Sequence, residues 1–360
     1  MNASPGHAIR RVVFRADASP AIGHGHVMRC LCLADALRER GVECHFVCAE
    51  LPCELNERLA RRGHPVHVLP PTARADEVAD AAASATVVAA LRAASVVVDH
   101  YQLGAAWETR LRRGGVGVMA IDDLADRHHD VDLLIDANVG RTASDYAGLV
   151  PPACRVLCGP EYALLRPEFA AARATRVARG DRPEVRRVLV SLGGTDPANV
   201  SATVLEALDA SPLPRDCTLT VVLGAGSPWL DDLRRRAQAA TRTTEVLAGV
   251  DDMAALMADC DLAVGAGGVI ALERCCLGLP SVIVVLAANQ RPGSAALQRA
   301  GAAVTLAQTE SIAQTLPPAI AAVLPAEARA AMARRAAQWV DGLGCARVAD
   351  AVRASGSQRP

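Results

Sequence analysis

The sequence predicts an α/β protein of two doubly wound, Rossmann-like domains facing a cleft, and three observations carry that expectation. Short apolar runs recur along the chain with helix-length segments between them, the pattern of parallel strands buried on both faces. The cycle weakens in an arginine-rich stretch near the middle and then restarts. Clusters of acidic, histidine and glycine residues fall at the carboxyl ends of the apolar runs, which is where ligands bind in doubly wound sheets.

In the first half, strands are expected at 11–16, 43–48, 64–68, 95–99, 117–122 and 132–136. The clearest helix covers 27–40, with Gly41 as its C-cap because glycine tolerates the left-handed conformation that ends helices. The stretch Arg176-Val177-Ala178-Arg179-Gly180-Asp181-Arg182-Pro183 lacks apolar periodicity and reads as part of a linker over 173–186. A strand at 187–192, the loop Gly193-Gly194-Thr195-Asp196 and a helix at 198–210 restart the cycle. Further strands are expected at 219–223, 244–247, 262–265, 281–285 and 303–305. The expected domains are 1–172 and 187–345, joined by the linker and followed by a helix end and tail at 346–360, loose from 354 onward.

A chain of 360 residues accommodates two such domains, and 51% hydrophobic with 21% charged residues reads as soluble and globular. A formal net charge of −1 argues against a nucleic-acid partner. No apolar stretch reaches the roughly 20 residues that span a bilayer, so no stable membrane insertion is expected. The first ten residues hold no signal-peptide core, and the cytoplasm is the expected compartment. All 38 basic residues are arginine. The chain therefore has neither a Schiff-base lysine nor a phosphate-loop lysine, and any phosphate must be met by backbone amides, helix ends and arginine. The twelve cysteines sit mostly in apolar runs without a Cys-x-x-Cys pair, as buried thiols do.

The chemistry-bearing residues begin after the first strand, where Asp17, Gly23, His24, Gly25 and His26 precede a helix. Gly23-x-Gly25 lacks the third glycine of a dinucleotide fingerprint, and Asp17 would crowd a pyrophosphate, so a dinucleotide cofactor is disfavoured. In the second half, Gly193-Gly194 and Gly265-Ala266-Gly267-Gly268 both precede helices and together could surround a diphosphate. Glu273, a little over one turn into the helix after Gly268, either reaches a ribose or faces solvent. His24 and His26, with His100, His128, His129 and nearby aspartates, could ligate a metal, but no compact ligand spacing occurs and none is expected. His26 could instead act as a general base, kept neutral by the helix dipole, or simply fill a cavity.

Several segments occur in one order along most of the chain. They are Phe14-Arg15-Ala16-Asp17-Ala18-Ser19, Ile22-Gly23-His24-Gly25-His26-Val27-Met28-Arg29, Val98-Asp99-His100-Tyr101, Ile121-Asp122-Asp123-Leu124-Ala125-Asp126-Arg127, Tyr162-Ala163-Leu164-Leu165-Arg166-Pro167, Ser191-Leu192-Gly193-Gly194-Thr195-Asp196 and Asn289-Gln290. Together they resemble the UDP-2,4-diacetamido-2,4,6-trideoxy-β-L-altropyranose hydrolases of pseudaminic acid biosynthesis. That resemblance implies the two-domain GT-B architecture, similar to the enzyme that makes lipid II, with water in place of a sugar acceptor. It implies attack at the anomeric carbon with inversion, UDP as leaving group, and no metal or other cofactor. On the same resemblance His26 activates water, Tyr101 and Asn289 line the sugar pocket, and Gly193, Gly194, Gly267 and Gly268 hold the diphosphate. Glu273 takes the ribose and Val250 to Met253 the uracil edge, while Gly25, Arg29 and Gln290 complete the substrate-binding set. Asp17 is expected, by proximity, to orient His26. UDP leaves readily once helix N-termini meet its charge, so one base suffices where ordinary glycoside hydrolysis needs two carboxyl groups. The chain departs from the pattern at Val269-Ile270-Ala271-Leu272, which offers phosphate no side-chain donor, and at Ala288, where an acidic residue is frequent. The alternatives are a GT-B glycosyltransferase using a UDP-HexNAc donor and a non-catalytic nucleotide-sugar-binding accessory protein.

Overall fold

Two parallel sheets flanked by helices organise the chain in the computed structural model, which describes residues 11–19, 22–179, 182–307, 309 and 311–356. Residues 1–10, Pro20 and Ala21 of the first loop, Gly180 and Asp181 of the expected linker, and 357–360 of the expected tail lie outside the described residues.

The first sheet contains β1 (Arg11–Ala16), β2 (Glu43–Cys48), β3 (Val66–Val68), β4 (Ser95–Asp99), β5 (Gly117–Ile121), β6 (Leu133–Asp136) and β7 (Arg155–Cys158), in the order β3-β2-β1-β4-β5-β6-β7. The chain moves outward from β1 through β2 to β3, then returns to place β4 on the other side of β1. Ala16 lies opposite Asp99 at the carboxyl end of that pair. The second sheet contains β8 (Arg187–Ser191), β9 (Thr218–Leu223), β10 (Thr244–Ala248), β11 (Leu262–Ala266), β12 (Ser281–Val284) and β13 (Val304–Leu306), in the order β10-β9-β8-β11-β12-β13. It reverses direction in the same way, with Ser191 opposite Gly265. Each sheet thus has one switch point, where two neighbouring strands send their connections in opposite directions and leave a crevice.

Strand alternation distributes the first core over both faces of its sheet. Val12, Phe14 and Ala16 pack with Val27, Cys30 and Leu33 of the Gly25–Arg38 helix, while Val13 packs on the opposite face with Val96, Val98 and Trp107. Arg15 follows Val13 onto that second face and is 1% exposed. Its guanidinium is matched by Asp17 at 2.6 Å and by Asp80 of the Glu77–Leu91 helix at 2.5 Å.

The chain divides into one unit of residues 1–164 with 344–360 and another of 165–343. The expected boundaries at 172, 187 and 345 are therefore displaced, and the reason lies in the arginines that read as linker. Arg173 and Arg176 belong to the Pro167–Arg179 helix. Arg173 donates to the carbonyls of Cys276 and Ala337 at 2.5 and 2.9 Å, and Arg176 to that of Cys260 at 2.6 Å. These carbonyls end three helices of the second unit, where cationic donors satisfy groups left unpaired by the helix itself. The last helix, Gly344–Gly356, returns to the first unit. Cys345, Val348, Ala349 and Val352 enter its core, and Arg40 pairs with Asp350 at 2.8 Å. Residues 354–356 of the expected loose tail are thus helical. β3 is shorter than expected because His64 is drawn to Asp35, with Nε2 3.0 Å from its carboxylate, and Pro65 has no N–H for the ladder. β7 was not among the expected strands. No helix among the described residues is long and apolar enough to cross a membrane.

Replacing Arg15 with methionine leaves Asp17 and Asp80 buried without their cation. The expected result is a loss of about 3–5 kcal/mol of stability in urea denaturation; a loss below about 1 kcal/mol would contradict the role assigned to this ion triad.

Candidate active site

The switch point of the first sheet brings together residues from three strand ends. After β1 the backbone turns tightly, Gly23 N–H donating to Ser19 O at 2.7 Å with Gly23 at φ +80°, and the Gly25–Arg38 helix starts at once. His26 is the second residue of that helix and is 6% exposed. Its Nδ1 lies 2.9 Å from the Asp99 carboxylate and 3.1 Å from the Asp99 carbonyl. Both are acceptors, so the network assigns the ring proton to Nδ1. Nε2, the basic nitrogen, then has no protein partner among the described residues. The edge of the ring meets Tyr101, with centroids 4.6 Å apart and planes at 85°.

Asp99 is completely buried at the end of β4. Arg29, one turn beyond His26, grips it with Nε and Nη2, each at 2.6 Å. The third nitrogen of Arg29 reaches Asp123 at 3.1 Å, and the Tyr101 hydroxyl donates to the same carboxylate oxygen at 3.2 Å. Burial favours the neutral form of Asp99, but the Arg29 and His26 charges and their hydrogen bonds outweigh it and hold the carboxyl well below the usual range. Burial also disfavours imidazolium at His26; the charge and hydrogen bonds of Asp99 overcome that and the opposing charge of Arg29, raising its pKa. The expectation of a base kept neutral by the helix dipole is corrected accordingly. A full carboxylate within hydrogen-bond distance outweighs the partial charge of a helix end.

A second correction concerns Asp17, which does not orient His26. Its carboxylate is taken by Arg15, by the backbone N–H of Ala49 at 2.7 Å, and by His100 Nε2 at 3.4 Å. Burial opposes its ionisation, but these partners hold its pKa well below the normal range. Asp17 lies on the Arg15 face of β1, opposite the face that carries the His26 helix. Arg29 likewise has its donors engaged by Asp99 and Asp123, so its position is that of a clamp. The other histidines are dispersed: His24 lies 3.8 Å from Glu54, and His129 lies 2.7 Å from Glu108. Among the described residues no group of three or more His, Cys, Asp or Glu side chains is arranged to hold a metal ion. Asp99 and Asp123 were not in the expected site. Asp99 shares a face of β4 with Val97, which packs in the core cluster of the His26 helix, a placement set by the strand order and not by the local sequence pattern.

In the second unit the two glycine loops follow β8 and β11, the switch-point strands. Gly193 has φ +114° and open space where a side chain would be; Gly194 accepts from Gly224 N–H at 2.8 Å. Asp196 caps the Val200–Asp209 helix, accepting from Val200 and Ser201 N–H at 2.9 and 2.8 Å. Gly268, the N-cap of the Val269–Leu277 helix, has φ +76° and is likewise open. Gly267 is closed instead: a Cβ there would meet Ser294 Oγ and Gln290 Cβ at 2.9 Å. Gln290 is engaged by Leu286 N–H at 3.0 Å, and Asn289 beside it is exposed. Glu273 lies 3.7 Å from Arg166, and burial raises its carboxyl pKa despite the opposing charges of Arg166 and Arg274. Val250 and Met253 are half-buried on either side of Asp252, which caps the Met253–Asp259 helix through Ala255 N–H at 2.9 Å.

Residues 188–346 match the glycosyltransferase family 28 C-terminal domain. Over 229 residues the chain is 29% identical to a UDP-2,4-diacetamido-2,4,6-trideoxy-beta-L-altropyranose hydrolase of Campylobacter jejuni, covering 63% of this chain and 74% of that protein. It is 33% identical over 158 residues to the spore coat polysaccharide biosynthesis protein SpsG of Bacillus subtilis, covering 44% and 45% of the two chains. The crystal structure of Acinetobacter baumannii MurG aligns over 96% of this chain and 99% of that one, with a TM-score of 0.70 at 16% identity. The resemblance read from the sequence is borne out, and the fold is the GT-B type with two Rossmann-like domains.

The Asp99 contact predicts how His26 titrates. In NMR titrations its midpoint should lie above the ordinary histidine value of about 6.5. Asp99→Asn removes the negative charge but leaves burial and Arg29, both of which oppose imidazolium, so the midpoint should fall below that value. An unchanged midpoint would show that Asp99 does not control the ring.

Proposed function

We propose that the chain is a UDP-sugar hydrolase that releases a 2,4-diacetamido-2,4,6-trideoxyhexose from its UDP conjugate, in pseudaminic acid biosynthesis. The observation that carries the reading is His26, whose Nδ1 is held by Asp99 while Nε2 remains available to accept a proton. Water attacks the anomeric carbon, its proton passes to Nε2, and the bond from that carbon to the phosphate oxygen breaks with inversion. The electron pair leaves with UDP. Asp99 stabilises the imidazolium formed in this step, as a buried carboxylate does in a catalytic triad. Arg29 and Asp123 hold Asp99 and Tyr101 in place, and Tyr101 is the proposed sugar contact of the first unit.

On the second unit, the backbone amides of Gly193, Gly194 and Gly268 are the proposed diphosphate donors. Glu273 is proposed for the ribose, the Val250 to Met253 backbone for the uracil, and Asn289 and Gln290 for the sugar. The hydrolase activity for which the Campylobacter relative is named supports water as acceptor, and the family 28 match supports a nucleotide-sugar donor.

The test is incubation with UDP-linked 2,4-diacetamido-2,4,6-trideoxyhexoses, following UDP release and the configuration of the first-formed sugar by NMR. His26→Ala should lower kcat/KM by about 10²–10⁴-fold with UDP affinity unchanged, and a chelator should have no effect. Retention at the anomeric carbon, or full activity without His26, would refute the mechanism; turnover only with an added sugar acceptor would make the chain a transferase.

A further inference from the structure

The second unit buries an arginine that no acidic partner accounts for. Arg274, in the Val269–Leu277 helix, is 1% exposed. Its Nη2 donates to the Ala266 carbonyl at 2.6 Å, while Nε and Nη1 have no hydrogen-bond partner. Burial lowers its pKa to about 10, so the guanidinium remains charged at neutral pH. Glu273 acts on it only through space. A buried charge with idle donors is costly unless something compensates it.

The guanidinium lies beneath the candidate phosphate loops. Helical side chains tilt toward the helix N-terminus, and this one reaches back to β11. A Cβ on Gly265 would collide with Nη1 and would lie 2.6 Å from the Ser191 carbonyl at the end of β8. Gly265 is therefore glycine to make room for Arg274, between the two strands whose loops carry Gly193-Gly194 and Gly267-Gly268. Ser294 Oγ, on a residue 3% exposed, is also unpartnered and borders the same turn at Gly267. At Gly268, the last residue of the turn, a Cβ would meet open space.

We infer that Arg274 is a positioning residue for a diphosphate: from below it fixes the 265–268 turn through Ala266 and adds positive charge behind the helix N-terminus. The inference rests on the nucleotide-diphosphate reading above. It also explains how a lysine-free chain, whose first helical turn after Gly268 offers no hydroxyl, meets a multiply charged ligand.

Calorimetric affinities of the full chain for UDP, UMP and uridine test this with Arg274→Gln, which keeps an amide donor without charge, and Arg274→Lys, which keeps the charge. Arg274→Gln should weaken UDP about tenfold or more and leave uridine unchanged, while Arg274→Lys should retain most of the preference for UDP. Equal losses for UDP and uridine would reduce Arg274 to a structural role, and an unchanged UDP affinity would remove it from binding altogether. Should Arg274→Gln not fold, the Nε–H resonance absent from Arg274→Lys identifies Arg274 in the wild-type spectrum. It should shift with UDP but not with uridine, and no UDP-specific shift would overturn the inference. A wild-type chain that does not prefer UDP to uridine overturns the diphosphate reading itself; a wild type that does, beside an Arg274→Gln variant that keeps the preference, overturns Arg274 alone.

Discussion

The ion pair between Arg29 and Asp99 is the constraint on which the first unit's site depends. A carboxylate with no exposure survives ionised only if a cation and hydrogen bonds replace its water, and Arg29 supplies two short bonds to it. Once fixed, Asp99 determines the ring proton of His26, its orientation and the direction of its pKa shift. The remaining nitrogen of Arg29 extends the same constraint to Asp123 and so to Tyr101. Two residues one helical turn apart thus organise three strand ends. This is economical because the backbone at a switch point already brings those ends together.

Positive charge is used differently in the two units. Arg15 and Arg29 are each buried against two carboxylates, which more than neutralise them. Arg173 and Arg176 satisfy helix carbonyls. Arg274 has only one carbonyl and retains unpaired donors at the loop that the sequence had singled out for phosphate. The glycines of that loop accordingly divide by role. Gly265 and Gly267 make room for side chains, whereas Gly268 supplies a positive φ and an open surface.

Much of the fold was legible because parallel strands buried on both faces read as unbroken apolar runs. β1, β2 and β4 lie at the expected residues, and most others within one or two. β7 escaped because Arg155-Val156-Leu157-Cys158 is an edge strand with an exposed first residue and one fully buried position. The domain boundary escaped for a different reason. Arginine density marks a solvated linker only when the guanidinia face water, and here their acceptors are 80 to 170 residues away in the chain.

The site shows where local reading fails and what would have improved it. Asp17 and Asp99 are both acidic strand ends, and only Asp17 is near His26 in sequence, which favoured it. Alternation along the strand separates them. Asp17 shares the face of Arg15 and Val13, away from the His26 helix, whereas Asp99 shares the face of Val97, toward it. The missing information was the strand order, because only the placement of β4 beside β1 brings the correct face of Asp99 against the helix. Sequence proximity therefore named the loop and the base, while the identity of the base's partner required topology.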